Sequence, residues 1–255
     1  MEHSYPLWPG CIRLRPSGTH HPDPGRGRGA GRCKTEIVAH PYWPPFDLRV
    51  RTPRLEIRLP TDDEQNELVA LSDRGIHDPA VMPFSIPWTD RPLPYRHREA
   101  LQFWWGARAT WSPHDWRFPA AAFVDGQPVG VQELMATDFG PLRSVKTGSW
   151  LGREYQGRGI GKEMRSAILH LAFDGLGARE ALSGAFFDNE PSLATSRSLG
   201  YVFNGEELLL RRGKPDRMIN LQLDRDTWSS DRRDDIDIEG LSEDCLEMFG
   251  VLMAS

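Results

Sequence analysis

The residues Gln156-Gly157-Arg158-Gly159-Ile160-Gly161 carry the clearest chemistry in the sequence. Glycines at 157, 159 and 161 let a ligand come close to the backbone, because no Cβ intervenes. Before them runs a strand-like alternation, with Val145, Thr147, Ser149 and Leu151 on one face and Trp150 on the other; after them the pattern turns helical. The order is therefore strand, turn, helix. The first amides of such a helix lack partners and form a ready anion site. Two common phosphate loops do not fit. A dinucleotide fingerprint needs glycine three places after Gly159, where Lys162 stands, and belongs early in a βαβ unit. A Walker A loop needs glycine in place of Gln156 and Ser or Thr in place of Glu163. What remains is Gln-x-x-Gly-x-Gly, with Arg158 adding positive charge. By itself that pattern also suits an ordinary tight strand-to-helix turn.

A sheet and its covering helices must position this turn. Residues 1–44 are rich in Pro, Gly, Arg and His, with too few apolar residues to offset the entropy of ordering, so a disordered arm is expected. Its Arg26, Arg28, Arg32 and Lys34 leave a nucleic-acid contact as the sharper alternative. Arg54 to Pro60 alternates strictly and predicts a strand with Leu55, Ile57 and Leu59 inward. Thr61 and Glu64 match a capping box, which predicts a helix over 62–73 burying Leu68, Val69 and Leu71. From His77 to Leu93, four prolines forbid a regular helix, while Met82, Phe84, Ile86 and Trp88 are too apolar for a free linker. This stretch is expected to be a packed loop that walls a site.

A second helix is predicted from Tyr95 to Trp111, with Trp104 and Trp105 packed in the core. Phe118–Val124 and Val129–Ala136 read as strands joined across Asp125-Gly126-Gln127-Pro128, and with 145–152 they form an antiparallel meander. Ala181 to Phe187 is mostly apolar and is expected to be a strand buried on both sides. Asp188-Asn189-Glu190-Pro191 opens a helix that ends at Leu199-Gly200-Tyr201. A last hairpin pairs Leu208–Arg211 with Met218–Leu223 across Gly213 to Asp216. From 225 the chain is acidic, with an apolar cluster at Leu241, Leu246, Met248, Phe249 and Val251. Docking on the core, docking on a second subunit of a homo-oligomer and a solvated tail all stay open. The expected division is an arm over 1–44, one α/β domain over 45–224 and an acidic extension over 225–255.

Composition narrows the function. A net charge of −5 argues against a general nucleic-acid binder, whose footprint would be a basic stripe. The three cysteines, Cys11, Cys33 and Cys245, stand far apart without disulfide or zinc spacing, which favours a reducing cytoplasmic setting and no metal. No apolar run approaches the ~18 residues of a membrane span, and the first residues lack the apolar core of a secretory signal.

Set in this order of elements, the glycine turn resembles the acyl-CoA loop of the GNAT superfamily of N-acyltransferases. Asn189, Ser192, Ser196 and Leu199-Gly200-Tyr201 fall at the offsets of that family's later helix. Leu48 to Leu55 further resembles the branch that acetylates ribosomal-protein N-termini. His77-Asp78-Pro79, Met82-Pro83-Phe84-Ser85, Pro87-Trp88-Thr89, Gly148 to Gly152 and Glu163-Met164-Arg165 are similar to an actinobacterial subgroup that includes a mycobacterial GNAT succinyltransferase. The resemblance spans roughly 45–250. It implies an α/β GNAT fold: a mostly antiparallel mixed sheet, splayed between its middle strands and flanked by helices.

The resemblance also implies site roles. The amides of Gly157, Arg158, Gly159, Ile160 and Gly161 would hold the CoA pyrophosphate, with polar help from Gln156 and Arg158. Trp150 or Leu151 would offer an amide to the thioester oxygen, and Asn189 and Ser192 would border the pantetheine. Many relatives carry a tyrosine where this chain has Ser196, so Ser196 is the candidate that stabilises the leaving thiolate; a plain surface serine is the other reading. Tyr201 matches a packing aromatic. Glu133 is the first candidate base, with Asp138 and His77 behind it. His77, Phe84 and Trp88 are candidates to border the acceptor. Acetyl-CoA is the family default as cosubstrate, with succinyl-CoA the alternative; Arg98, Arg143 or Lys146 would then meet its distal carboxylate. The acceptor is a primary amine: a protein N-terminus, a lysine or a small amine. A non-catalytic acyl-CoA-binding module is the rival from another class.

Overall fold

A computed structural model describes residues 39–252. The arm expected over 1–44 lies outside these residues as far as position 38. Strands β1 (Arg49–Arg51) and β2 (Glu56–Arg58) begin the described sheet. The single strand expected over 54–60 is thus shorter, because Thr52-Pro53-Arg54 turns the chain back on β1; Leu55, Ile57 and Leu59 are buried as the alternation requires. Helix α1 (Asp62–Asp73) starts on the full capping box: Thr61 Oγ1 accepts from the Glu64 amide, and Glu64 reaches back to the Thr61 amide.

Helix α2 (Tyr95–Ala109) follows the proline-rich loop. It buries Trp104, but Trp105 points outward and is half exposed, so only one of the two tryptophans enters the core. Strands β3 (Asp115–Val124) and β4 (Gln127–Thr137) form a long hairpin. The turn is tighter than expected, since Asp125 and Gly126 alone make it, both with positive φ. A short α3 (Phe139–Leu142) leads to β5 (Ser144–Leu151), which runs into the glycine turn and α4 (Ile160–His170). One π-type turn extends α4 to Gly175. Next come β6 (Glu180–Phe186), α5 (Glu190–Arg197) and the hairpin β7 (Val202–Arg211) with β8 (Lys214–Asp224). That hairpin is longer than the sequence suggested, and its turn is Arg212-Gly213.

The chain closes with α6 (Arg225–Ser230), β9 (Asp237–Glu239) and α7 (Glu243–Met248). These elements belong to the fold despite their acidic sequence. β9 pairs with β1 at the sheet edge, and Phe249 is wholly buried against Trp111, Trp116 and Phe118. Both tryptophan indoles donate to this segment, Trp111 to the Met248 carbonyl and Trp116 to the Phe249 carbonyl, each at 2.9 Å. Of the outcomes left open for this segment, residues 225–252 show docking on the core, with Trp228, Ile236, Cys245 and Phe249 buried.

Among the described residues the nine strands run β7-β8-β6-β5-β4-β3-β2-β1-β9. Every neighbouring pair is antiparallel except β5 with β6. One face is covered by α1 and α2 over Ala121, Phe123 and Val131. The other packs α4, through Met164, Ala167, Ile168 and Leu171, with the C-terminal segment.

Candidate active site

The parallel pair β5 and β6 is the break in the sheet. Ser144, Val145 and Lys146 align with Glu180, Ala181 and Leu182, and beyond that point the strands share no register. Thr147 Oγ1 donates to the Leu182 carbonyl at 3.4 Å, at the point where the strands part. β5 stays paired with β4 on its other side as far as Leu151 opposite Gly130. A strand held on one side and open on the other offers backbone groups that must meet water or an extended ligand. For the same reason β6 is not buried on both sides: Leu182 and Ser183 are half buried, and Gly184 and Phe187 are exposed.

At the open end of β5 stands the glycine bend. Gly157 and Gly159 have φ of 72° and 77°, a region that L side chains enter only with strain. Gly161 has ordinary helical geometry, and a Cβ there would meet nothing within 4 Å, so the protein itself leaves that space free. Among the described residues no acceptor takes the amides from Gly157 to Lys162; the first bond of the helix is Glu163 N–H to the Gly159 carbonyl, at 3.1 Å. Free amides, a helix start and positive charge together fit a pyrophosphate.

The bend is fastened from outside. Arg54 Nε donates to Glu163 Oε2 at 2.7 Å, and Arg54 Nη1 donates to the Arg158 carbonyl at 3.2 Å. Thr52 Oγ1 donates to the other Glu163 oxygen. Burial works to raise the Glu163 carboxyl, but the bonds from Thr52 and Arg54 outweigh it and hold the group below its ordinary value. Gln156 serves the same end, because its Nε2 donates to the Ile76 and Leu151 carbonyls at 2.6 and 2.8 Å. The polar contact expected from Gln156 toward a ligand is thus largely spent on the bend itself.

On the α4 side, the opening is floored by Arg165, only 4% exposed. Its Nη1 donates to Ser183 Oγ at 3.1 Å and lies 3.5 Å from Ser196 Oγ, while Nη2 donates to Ser149 Oγ at 3.2 Å. One guanidinium thereby bridges β5, β6 and α5 across the gap. Tyr201 packs in the core beside this group, as expected, and burial pushes its phenol up against the opposing pull of Arg165.

On the α1–α2 side, the rings of His77, Phe84, Trp88 and Trp150 follow one another with centroids 5.6, 5.5 and 6.0 Å apart. The proline-rich loop is thus a wall, and it ends on β5. The hairpin tip latches it: Arg211 Nε donates to the Met82 carbonyl at 2.7 Å, and Arg212 pairs with Asp90. Glu133 lies on this face, with its Oε2 3.5 Å from where a Gly148 Cβ would stand. Its side chain is 14% exposed and faces Arg117 at 3.1 Å. Burial lifts the Glu133 carboxyl above its ordinary value, and the Arg117 charge opposes.

Other candidates are placed less favourably. His77 has both ring nitrogens engaged: Nδ1–H donates to the Asp78 carbonyl, and Nε2 accepts from Thr89 Oγ1, each at 2.8 Å. That makes it a loop pin rather than a base. Asp138 precedes α3 at the far end of β4, past the paired end of β5, beside His114. Asn189 caps α5 through a bond from the Ser192 amide, so its oxygen is committed to the helix. Arg143 is tied to the Leu176 and Val251 carbonyls, Lys146 lies in the paired stretch of β5, and Arg98 is exposed on α2.

A GNAT acetyltransferase domain model matches residues 54–202, more than half of the chain. The chain belongs to the GNAT family. Among solved structures it is similar to a candidate ribosomal-protein-serine acetyltransferase from Vibrio cholerae, with 25% identity over 71% of this chain and 99% of that one, at a TM-score of 0.55. It shares 17% identity with Mycobacterium smegmatis RimJ bound to CoA-disulfide, over 72% of this chain and 90% of that one, at a TM-score of 0.58. It shares 18% with the ribosomal L7/L12 α-N-protein acetyltransferase RimL in complex with coenzyme A, over 69% of this chain and 97% of that one, at 0.55. The sheet described above is the GNAT fold, and the protein is a GNAT-type acyltransferase. In this GNAT domain sequence reasoning missed the site roles of Arg54, Glu163 and Arg165. The available signal was the pair Glu163 and Arg165 flanking Met164 on a helix that the core must bury.

Proposed function

We propose that this chain transfers an acyl group, acetyl as the family default, from acyl-CoA to a primary amine by direct attack. One observation carries the reading: six amides at the glycine bend, unpaired among the described residues, lie at the end of a strand whose other edge is open. The bend would take the pyrophosphate and the open edge the pantetheine, with a Trp150 or Leu151 amide at the thioester oxygen. Attack then needs the amine on the aromatic side. Glu133, raised by burial, accepts the amine proton directly or through water, the amine nitrogen bonds to the carbonyl carbon, and the C–S bond breaks with its electron pair on sulfur. Succinyl-CoA is the alternative donor, on the strength of the motifs that resemble the actinobacterial subgroup.

The acceptor wall is aromatic, and Glu133 on that face already meets Arg117, which suits one amine on a peptide or apolar body better than a polycation. A protein N-terminus is therefore the proposed acceptor class, in a cytoplasmic setting. The test is incubation with acetyl-CoA or succinyl-CoA and a panel of peptides, lysines and small amines, followed by mass spectrometry. The mass added to the acceptor names the acyl group. Free CoA without any acylated amine would defeat the proposal.

A further inference from the structure

A buried guanidinium without a carboxylate is expensive, since its charge is removed from water and nothing of opposite sign replaces it. Arg165 is in that position. No ion pair among the described residues includes it, its neighbours are the hydroxyls of Ser149, Ser183 and Ser196, and its Nε has no partner. The buried Tyr201 hydroxyl approaches the guanidinium and Thr147 without a full hydrogen bond to either. Tyr201 lies beside Arg165, and burial keeps its phenol neutral. The cage is therefore rich in donors, carries one uncompensated positive charge, and opens toward the gap through exposed Ser149. Such a cage is built to receive an anion.

We propose that the anion is the CoA thiolate, with Arg165 and Ser196 together stabilising the sulfur as the C–S bond breaks. This rests on the acyl-CoA reading of the opening. A serine hydroxyl alone is a poor acid, but beside a guanidinium it need only hydrogen-bond the sulfur, whose negative charge the arginine balances until solvent protonates it. Arg165 thus makes good what Ser196 lacks.

The direct test is the ionisation of CoA bound to the protein, followed by the ultraviolet absorbance of the thiolate against pH. Bound CoA is expected to ionise ~1 unit or more below free CoA, as thiols beside cations do. Arg165→Gln abolishes the shift and Arg165→Lys keeps part of it. A wild-type measurement guards against a variant that fails to fold: CoA affinity tightens as pH rises between the bound and free thiol values, whereas desulfo-CoA affinity stays flat. CoA that binds without any lowering of its thiol overturns the proposal and leaves the acyl-CoA reading standing. CoA that does not bind at all removes that reading as well. A preference for succinyl-CoA over acetyl-CoA that disappears in Arg165→Gln, with the thiol unshifted, assigns the cage to an acyl carboxylate and also overturns it.

Discussion

The two halves of the sheet are built differently. From β3 to β5 the strands are covered on both faces, by α1 and α2 on one and by α4 with the C-terminal segment on the other. From β6 to β7 the cover thins, and β7 exposes Val202, Phe203, Leu208 and Leu210. Within the sheet the halves meet over three aligned residue pairs. The firm half carries the glycine bend and Glu133; the lighter half brings Ser183 and, through α5, Ser196. A site assembled at such a joint has rigid backbone on one side and adjustable side chains on the other. It follows that damage to the firm half should cost stability, while damage at the joint should cost function.

The largest effect is expected deep in the firm half. Phe249→Ala should lower stability by about 3–5 kcal/mol, because it empties the space under Trp116 and Phe118. Chemical denaturation checks this, and a loss below 1 kcal/mol would mean that the C-terminal segment is not part of the core. Next, Glu133→Gln should cut kcat/KM roughly 100-fold while leaving the melting temperature nearly unchanged. With its carboxyl raised in the folded protein, the wild-type rate should climb as pH rises through that value; the glutamine variant should lack this limb. A parallel pH profile in both proteins would exclude Glu133 as the base.

Glu64→Gln is a smaller probe of the firm half, at about 1 kcal/mol for the partly screened ion pair with Arg58, since glutamine still serves the capping box. Hydrogen bonds from Arg58, with further help from the Thr61 amide, hold the Glu64 carboxyl at about 2 against the opposing effect of burial, below an ordinary 4.5. Its contribution is therefore complete above about 4.5 and fades as pH falls toward 2. Acid titration of stability in wild type and variant should converge over that window. If the difference persists at the acid end, the ion pair is not its source.

Features made by neighbours in sequence were legible. The capping box, the Asp125-Gly126 turn and the glycine bend each follow from a few adjacent residues whose backbone needs are local. The Arg165 cage was not, because its members lie at 149, 165, 183 and 196 and converge only when β5, β6, α4 and α5 pack. Asn189 and His77 show local duties that their residue types alone did not announce. Each has the chemistry for binding or catalysis, but local geometry claims it first, as a helix cap and a loop pin. The acidic C-terminal residues hid their role too, since Phe249 and Cys245 are buried within a segment whose average composition reads as solvated.

The most direct measurement is the thermal stability of the purified chain titrated with acetyl-CoA and succinyl-CoA, alongside Gly161→Val. A Cβ at 161 has room in the protein, so the variant should fold, yet it would stand over the unpaired amides. The account predicts that the wild type gains about 2.7 kcal/mol at a ligand concentration of ~100 times Kd, and that the variant gains little. A wild type indifferent to both thioesters, or a variant stabilised as much as the wild type, would contradict it.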